Sequence, residues 1–91
     1  MIYLVSYDLR KSKDCSKIEK VLARYQYKQK ALFSQCLVQT DQTSAQLLDA
    51  LLPSLDADDG LLVTEITRNA AWFGTVNSDQ DMESWRTTAR P

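Results

Sequence analysis

The sequence predicts a small α+β domain whose strands and helices follow one another in the order β-α-β-β-α-β. Three observations predict this class. The chain opens on an apolar run at residues 2–7, two later segments carry apolar residues at helical spacing, and further short apolar runs lie between and after them. With 91 residues, the chain is long enough for one domain with a small core.

The first strand and the first helix carry the most distinctive pattern. Residues 2–7 predict a strand with two apolar faces, which ends at Asp8. A helix then begins near Ser12 to Ser16, where Ser12, Asp14 and Ser16 are rival caps. Its apolar stripe holds Cys15, Ile18, Val21, Leu22 and Tyr25, and its outer face is basic, with Lys17, Lys20 and Arg24.

The middle of the chain predicts two strands at residues 28–33 and 35–40, or one long bent hairpin. The turn between them lacks glycine, so the sequence specifies their register poorly. Thr43 and Gln46 form a capping-box pattern before the second helix, which Pro53 should end or kink. Residues 56–60 predict a turn in which Gly60 takes a positive φ, and residues 61–66 predict the last strand.

This order is that of a ferredoxin-like sandwich, with an antiparallel sheet and two helices on one face. The domain covers residues 1–67, and its second sheet face has no helix of its own, so a second protomer is expected to cover it. Residues 68–91 form an extension that packs on the domain or on a partner protomer. Its predicted helix spans residues 79–90 with Ser78 as the cap and Met82 and Trp85 inward, and Trp72 and Trp85 are expected to be packing anchors.

Charge is distributed unevenly along the chain. Residues 10–30 hold eight basic side chains against two acidic ones, whereas residues 41–83 hold nine acidic side chains against one basic one. A polyanion would bind the first region and be repelled by the second. Two solvated protein faces that attract one another would give the same charge pattern. The candidate nucleic-acid-binding residues are Arg10, Lys11, Lys13, Lys17, Lys20, Arg24 and Lys28.

The composition of the chain limits the catalytic chemistry available to it and the cellular compartment expected for it. The chain has no histidine, which excludes the commonest general base, and its two cysteines, Cys15 and Cys36, are expected to be reduced core thiols. No apolar run is long enough to span a membrane and no secretory signal is evident, so we expect a cytoplasmic protein. Asp8, at the tip of the first strand, is either a metal-binding or catalytic acid or a residue that caps the next helix or starts a turn.

Several segments resemble the CRISPR-associated endonuclease two superfamily, and above all its stand-alone, SinR-like branch. The likeness covers roughly residues 1–67. It rests on the Tyr3-Leu4-Val5-Ser6-Tyr7-Asp8-Leu9 opening, the basic first helix that ends in Arg24-Tyr25, the Leu32–Val38 strand pair and the Asp58–Val63 approach to the last strand. The two-tryptophan tail is longer than that family needs, and the acidic balance of the chain is unusual for a DNA clamp.

The resemblance implies a homodimer in which Asp8 meets its symmetry mate and the two carboxylates hold one divalent metal, usually Mg²⁺. Such an ion could activate water for hydrolysis of RNA or DNA, with Asp8, Ser6 and Arg10 as the catalytic set and Ser6, Ser12 and Arg10 orienting phosphate. It also implies an integrase as a partner where a CRISPR locus is present. The alternatives are a non-catalytic dimeric adaptor and a regulatory module without nucleic acid.

Overall fold

A computed structural model describes residues 1–10 and 16–91 of the chain. It confirms the α+β class and the predicted order of elements. These are β1 (Ile2–Asp8), α1 (Ser16–Leu22), β2 (Tyr27–Leu32), β3 (Gln35–Gln39), α2 (Ser44–Leu51), a 3-10 turn (Leu52–Ser54), β4 (Gly60–Ile66) and α3 (Asp79–Thr88). The predicted start of the first helix, with Ser12, Asp14 and Cys15, lies outside the described residues.

The four strands form one sheet in the order β2-β3-β1-β4, and each neighbouring pair is antiparallel. Helices α1 and α2 each connect two strands that are separated by a third, which is the split βαβ arrangement of ferredoxin-like folds. The register of β2 against β3 shifts between Lys30 and Leu32. This irregularity lies beside the glycine-free turn, where the sequence specifies the register least.

The main core lies between the sheet and helices α1 and α2. Alternate residues of β1 point to this side, because successive side chains of a strand face opposite ways. Its buried members are Tyr3, Val5, Tyr7, Ile18, Leu22, Cys36, Val38, Leu47 and Leu51. Eight of these nine residues lie on a predicted strand or on a predicted apolar stripe. Leu47 is the exception, because the spacing in the second helix predicts a stripe of Ala45, Leu48, Leu51, Leu52 and Leu55. Leu47 is instead fully buried, while Ala45 and Leu52 are exposed.

Part of the second face of the sheet is covered by the C-terminal extension of the same chain. Ile2, Ala31 and Leu37 are buried there together with Ala89, and Met82 and Trp85 of α3 pack against them. The face is therefore not bare, and the reason for expecting a second protomer over this part of it does not hold. Trp85 is a packing anchor, as the sequence predicts, and its indole Nε1 donates to Gln29 Oε1 at 2.8 Å.

Two helix starts follow their local sequence signals. The Thr43 side chain accepts the Gln46 backbone N–H at 3.2 Å, and Gln46 Oε1 accepts the Thr43 backbone N–H at 2.9 Å, which completes the predicted capping box. Ser78 accepts the backbone N–H of Asp81 at 3.0 Å and so caps α3. None of the helices in residues 1–10 and 16–91 is long and apolar enough to cross a membrane.

The prediction of a positive φ at Gly60 is wrong. Gly60 is the first residue of β4 and pairs with Asp8 of β1, whereas the glycine with a positive φ is Gly74, at 70°. A Cβ at position 60 would lie 3.1 Å from Arg10 Nη2. The absence of a side chain at Gly60 therefore leaves room for Arg10 rather than permitting an unusual backbone angle.

An ion pair fastens the end of the chain to the edge strand β4. Arg90 Nε and Nη2 lie 2.6 and 2.5 Å from the two carboxylate oxygens of Glu65, a bidentate geometry. A parallel bridge between Thr67 and Arg90 lies beside the pair. The hydrogen bond and charge of Arg90 hold the pKa of Glu65 below its ordinary value.

This pair should make stability depend on acid pH. A carboxyl group whose pKa is lowered by folding stabilises the protein above its unfolded pKa, and that stabilisation disappears as the pH falls through the folded pKa. We therefore expect the urea midpoint of the wild type to exceed that of Glu65→Gln near pH 7, and the difference to shrink below about pH 4.5. A difference that stays constant down to about pH 3 would contradict this role for Glu65.

Candidate nucleic-acid interface

Helix α1 presents its basic side chains to solvent because its apolar side faces the sheet. Ile18 and Leu22 are buried in the main core, while Lys17 and Lys20 are exposed. Arg24 follows directly after the helix and is also exposed. Lys17, Lys20 and Arg24 are spaced three and four residues apart, which keeps them on one side of this segment.

Strand β2 adds two further cations at the edge of the sheet. Lys28 pairs with Val38 and Lys30 pairs with Cys36, and both partners face α1 in the main core. Lys28 and Lys30 therefore lie on the same side of the sheet as α1. We call Lys17, Lys20, Arg24, Lys28 and Lys30 the α1–β2 basic surface.

Most cations of this surface have no ion-pair partner among the carboxylates of residues 1–10 and 16–91. Lys30 lies 4.0 Å from Glu19, a long and exposed ion pair. Lys17, Lys20, Arg24 and Lys28 form no ion pair with any carboxylate of the described residues. In contrast, Arg10, Arg86 and Arg90 each bind one acidic side chain. The α1–β2 basic surface is thus available to an external anion.

Several acidic residues of the sequence lie away from the α1–β2 basic surface. Asp49 is exposed on α2, and Asp56 and Asp58 are exposed in the turn that leads to β4. Strand β4 forms one edge of the sheet and β2 forms the other. On the α1 side of the sheet, the β2 edge is therefore positive and the region near β4 is negative, so a polyanion would be oriented as well as attracted. On the opposite face, Asp81 of α3 accepts a hydrogen bond from Gln29 Nε2 of β2 at 2.8 Å.

A groove runs between α1 and β2 within the basic surface. It has a volume of about 400 Å³ and is lined by Tyr7, Glu19, Leu22, Lys28, Gln29, Lys30 and Cys36. Its buried floor is apolar and its rim is charged. Burial raises the pKa of the Cys36 thiol, so the thiol is not activated as a nucleophile. The groove offers binding rather than covalent chemistry.

Asp8 lies at the tip of β1 on the face opposite α1 and α2. Its carboxylate Oδ2 accepts a hydrogen bond from Arg10 Nε at 3.0 Å, and both side chains are well exposed. The backbone N–H of Arg10 donates to Asp59 Oδ1 at 3.1 Å, which joins the end of β1 to the turn before β4. Among the described contacts, Asp8 holds Arg10 rather than capping a helix.

The described residues of one chain do not form a magnesium site at Asp8. No three histidine, cysteine, aspartate or glutamate side chains of the described residues lie close enough to hold a metal. Asp8 is paired with Arg10, and both oxygens of Asp59 accept backbone N–H groups, from Arg10 and from Asp56. A metal at Asp8 would need the carboxylate of a second copy and the displacement of Arg10.

The predicted site residues therefore separate into two groups. Lys17, Lys20, Arg24 and Lys28 come together on the α1–β2 basic surface, whereas Asp8, Arg10 and Ser6 lie on β1 or at its tip. Ser6 is on the same side of the sheet as Asp8 because it lies two residues before it. Lys11, Ser12 and Lys13 lie outside the described residues.

The nucleic-acid-binding residues predicted from the sequence do not include Lys30 and Phe33. Lys30 lines the groove, and its Nζ lies 5.2 Å from the centre of the Phe33 ring. The alternation of Lys28 with Lys30 on one strand, followed by an aromatic residue at the turn, was the available signal.

Comparisons of the chain with protein-family models, with curated proteins and with solved structures give no match. The resemblance to the CRISPR-associated endonuclease two superfamily therefore stays a prediction from the residues quoted for it. The functional argument rests on the geometry and charge of the chain itself.

Proposed function

We propose that this protein binds nucleic acid through the α1–β2 basic surface. The observation that carries the proposal is the group of four exposed cations, Lys17, Lys20, Arg24 and Lys28, that pair with no carboxylate of the described residues. We place this activity in the cytoplasm, where nucleic acid is abundant.

Phosphate contacts by such cations supply affinity without reading sequence. Each lysine or arginine that neutralises a phosphate releases a counterion, which makes binding favourable at low salt. The acidic residues near β4 would repel the same polyanion and confine it to the α1–β2 side. The expected activity is therefore binding with little sequence preference, as in an adaptor.

Two further parts of the proposal come from the family resemblance. A homodimer would use the Asp8 end of the second sheet face, where Leu62 of β4 is 63% exposed and α3 does not bury the sheet. A metal-dependent endonuclease would need two Asp8 carboxylates from two copies around one Mg²⁺. The Asp8–Arg10 pair favours the non-catalytic adaptor, because Arg10 already neutralises the acid.

The test is a salt titration of the wild-type protein with fluorescently labelled oligonucleotides of about 12 nucleotides. Four phosphate contacts predict that log affinity falls against log salt with a slope of about −3, or roughly fiftyfold between 50 and 200 mM salt. Fluorescence anisotropy measures both quantities. Absence of binding at about 50 mM salt, or an affinity indifferent to salt, would contradict the proposal.

Asp8→Ala serves as the variant that separates binding from catalysis. Since Asp8 lies outside the α1–β2 basic surface, we expect the variant to keep its affinity within about twofold. Incubation with Mg²⁺ or Mn²⁺ and labelled RNA or DNA supplies the second readout. Metal-dependent cleavage by the wild type that disappears in Asp8→Ala would contradict the non-catalytic adaptor and support the endonuclease.

A further inference from the structure

An exposed aromatic ring lies beside the α1–β2 basic surface. Phe33 is 82% exposed at the turn between β2 and β3. Because the Phe33 side chain is exposed to solvent, packing in the hydrophobic core does not explain its position. Its neighbours are basic, which distinguishes it from the other strongly exposed phenylalanine, Phe73 of the C-terminal extension.

Lys30 connects the ring to the groove. Its Nζ lies 5.2 Å above the centre of the Phe33 ring, and the same side chain lines the groove between α1 and β2. A cation over one face of a ring is a favourable contact that holds the ring in place. The opposite face is open, since most of the side chain is exposed.

The combination of an open ring face with cations in a groove matches one class of ligand. Single-stranded nucleic acid presents unstacked bases, which stack on aromatic rings, together with phosphates that basic side chains contact. A duplex keeps its bases stacked inside, so their faces are not available to an aromatic side chain, although its phosphates are. Lys28 would contact a phosphate beside a base that lies on Phe33, while Lys30 holds the ring from its other face.

We propose that the α1–β2 basic surface prefers single-stranded nucleic acid, with Phe33 as the residue on which a base stacks. This inference rests on the proposed function and adds the class of substrate to it. The groove, at about 400 Å³, is large enough for a small ligand group, and its apolar floor of Tyr7, Leu22 and Cys36 suits an unstacked base.

The experiment compares labelled deoxyribose and ribose single strands of about 12 nucleotides with a duplex of the same length, at about 50 mM salt. We expect the wild type to bind the single strands more tightly than the duplex. Phe33→Ala should weaken single-strand binding by about fivefold to a hundredfold and leave duplex binding unchanged within about twofold. The two sugar types show whether RNA and DNA are both accepted.

Phe73→Ala is the matched control, because Phe73 is 97% exposed but lines a cavity on the other side of the sheet with Ile2, Leu4 and Leu37. It should change neither affinity. Thermal unfolding of both variants verifies that they fold, as expected for exposed side chains.

The outcomes separate this inference from the proposed function. If the wild type binds both forms but Phe33→Ala loses nothing, or loses affinity for both forms equally, the stacking role of Phe33 is wrong and the basic surface stands. Duplex binding as tight as single-strand binding would likewise overturn the preference. If the wild type binds neither form, the proposed function fails together with the inference.

Discussion

Replacing Lys17, Lys20, Arg24 and Lys28 together by glutamine is expected to weaken nucleic-acid binding by about three orders of magnitude at 50 mM salt. Each of the four side chains is exposed and unpaired among the described residues, so each is free to neutralise one phosphate. The slope of log affinity against log salt should fall from about −3 to near zero, because the counterion release comes from these contacts. Anisotropy titrations at several salt concentrations measure the affinity and the slope together.

Single substitutions provide the control for this effect. Lys20→Gln should cost roughly sixfold to tenfold in affinity, since it removes one phosphate contact. Arg68→Gln removes the same charge from a different place, where the Arg68 side chain donates to the backbone carbonyl of Ala89. We expect it to change affinity by less than about twofold. Equal losses in the two variants would show that net charge, and not the α1–β2 basic surface, governs binding.

Trp85→Ala is expected to lower the free energy of unfolding by about 3 kcal/mol. Trp85 packs on the second sheet core of Ile2, Ala31 and Leu37, and its indole donates to Gln29 of β2. The substitution removes a large apolar side chain and leaves Gln29 with fewer partners. Urea unfolding followed by circular dichroism gives this free energy.

The comparison for Trp85→Ala is again Phe73→Ala, which should cost less than about 0.5 kcal/mol because Phe73 is almost fully exposed. A large difference between the two variants shows that α3 covers the sheet. If both variants unfold at the same urea concentration as the wild type, α3 does not contribute to this core.

Local sequence signals predict the elements of this fold well. The capping box of Thr43 and Gln46, the cap at Ser78 and the apolar run of β1 each depend on residues within a few positions of one another. The position of α3 does not follow from such signals. Its contacts with Ile2 and Leu37 join residues far apart in the chain, and a sequence gives no direct measure of which surface an amphipathic helix will cover.

The candidate site likewise contains features that local sequence predicts and features that only the folded chain brings together. Helical spacing places Lys17, Lys20 and Arg24 on one side, so this part of the basic surface is predictable from sequence. That these cations form no ion pair within the part of the chain that the structure describes could not be predicted, because the acidic residues could equally have folded against them. The Asp8–Arg10 pair, the Glu65–Arg90 pair and the contact of Lys30 with Phe33 likewise arise from side-chain placement in the folded molecule.

The central claim is that nucleic acid binds at α1 and β2. Nuclear magnetic resonance of the ¹⁵N-labelled protein, titrated with a single-stranded oligonucleotide at low salt, tests it most directly. The claim predicts that shifted amide resonances cluster in residues 16–33 and that those of α2 and of the turn before β4 stay in place. Shifts confined to the acidic side, or a spectrum that the oligonucleotide leaves unchanged, would contradict it.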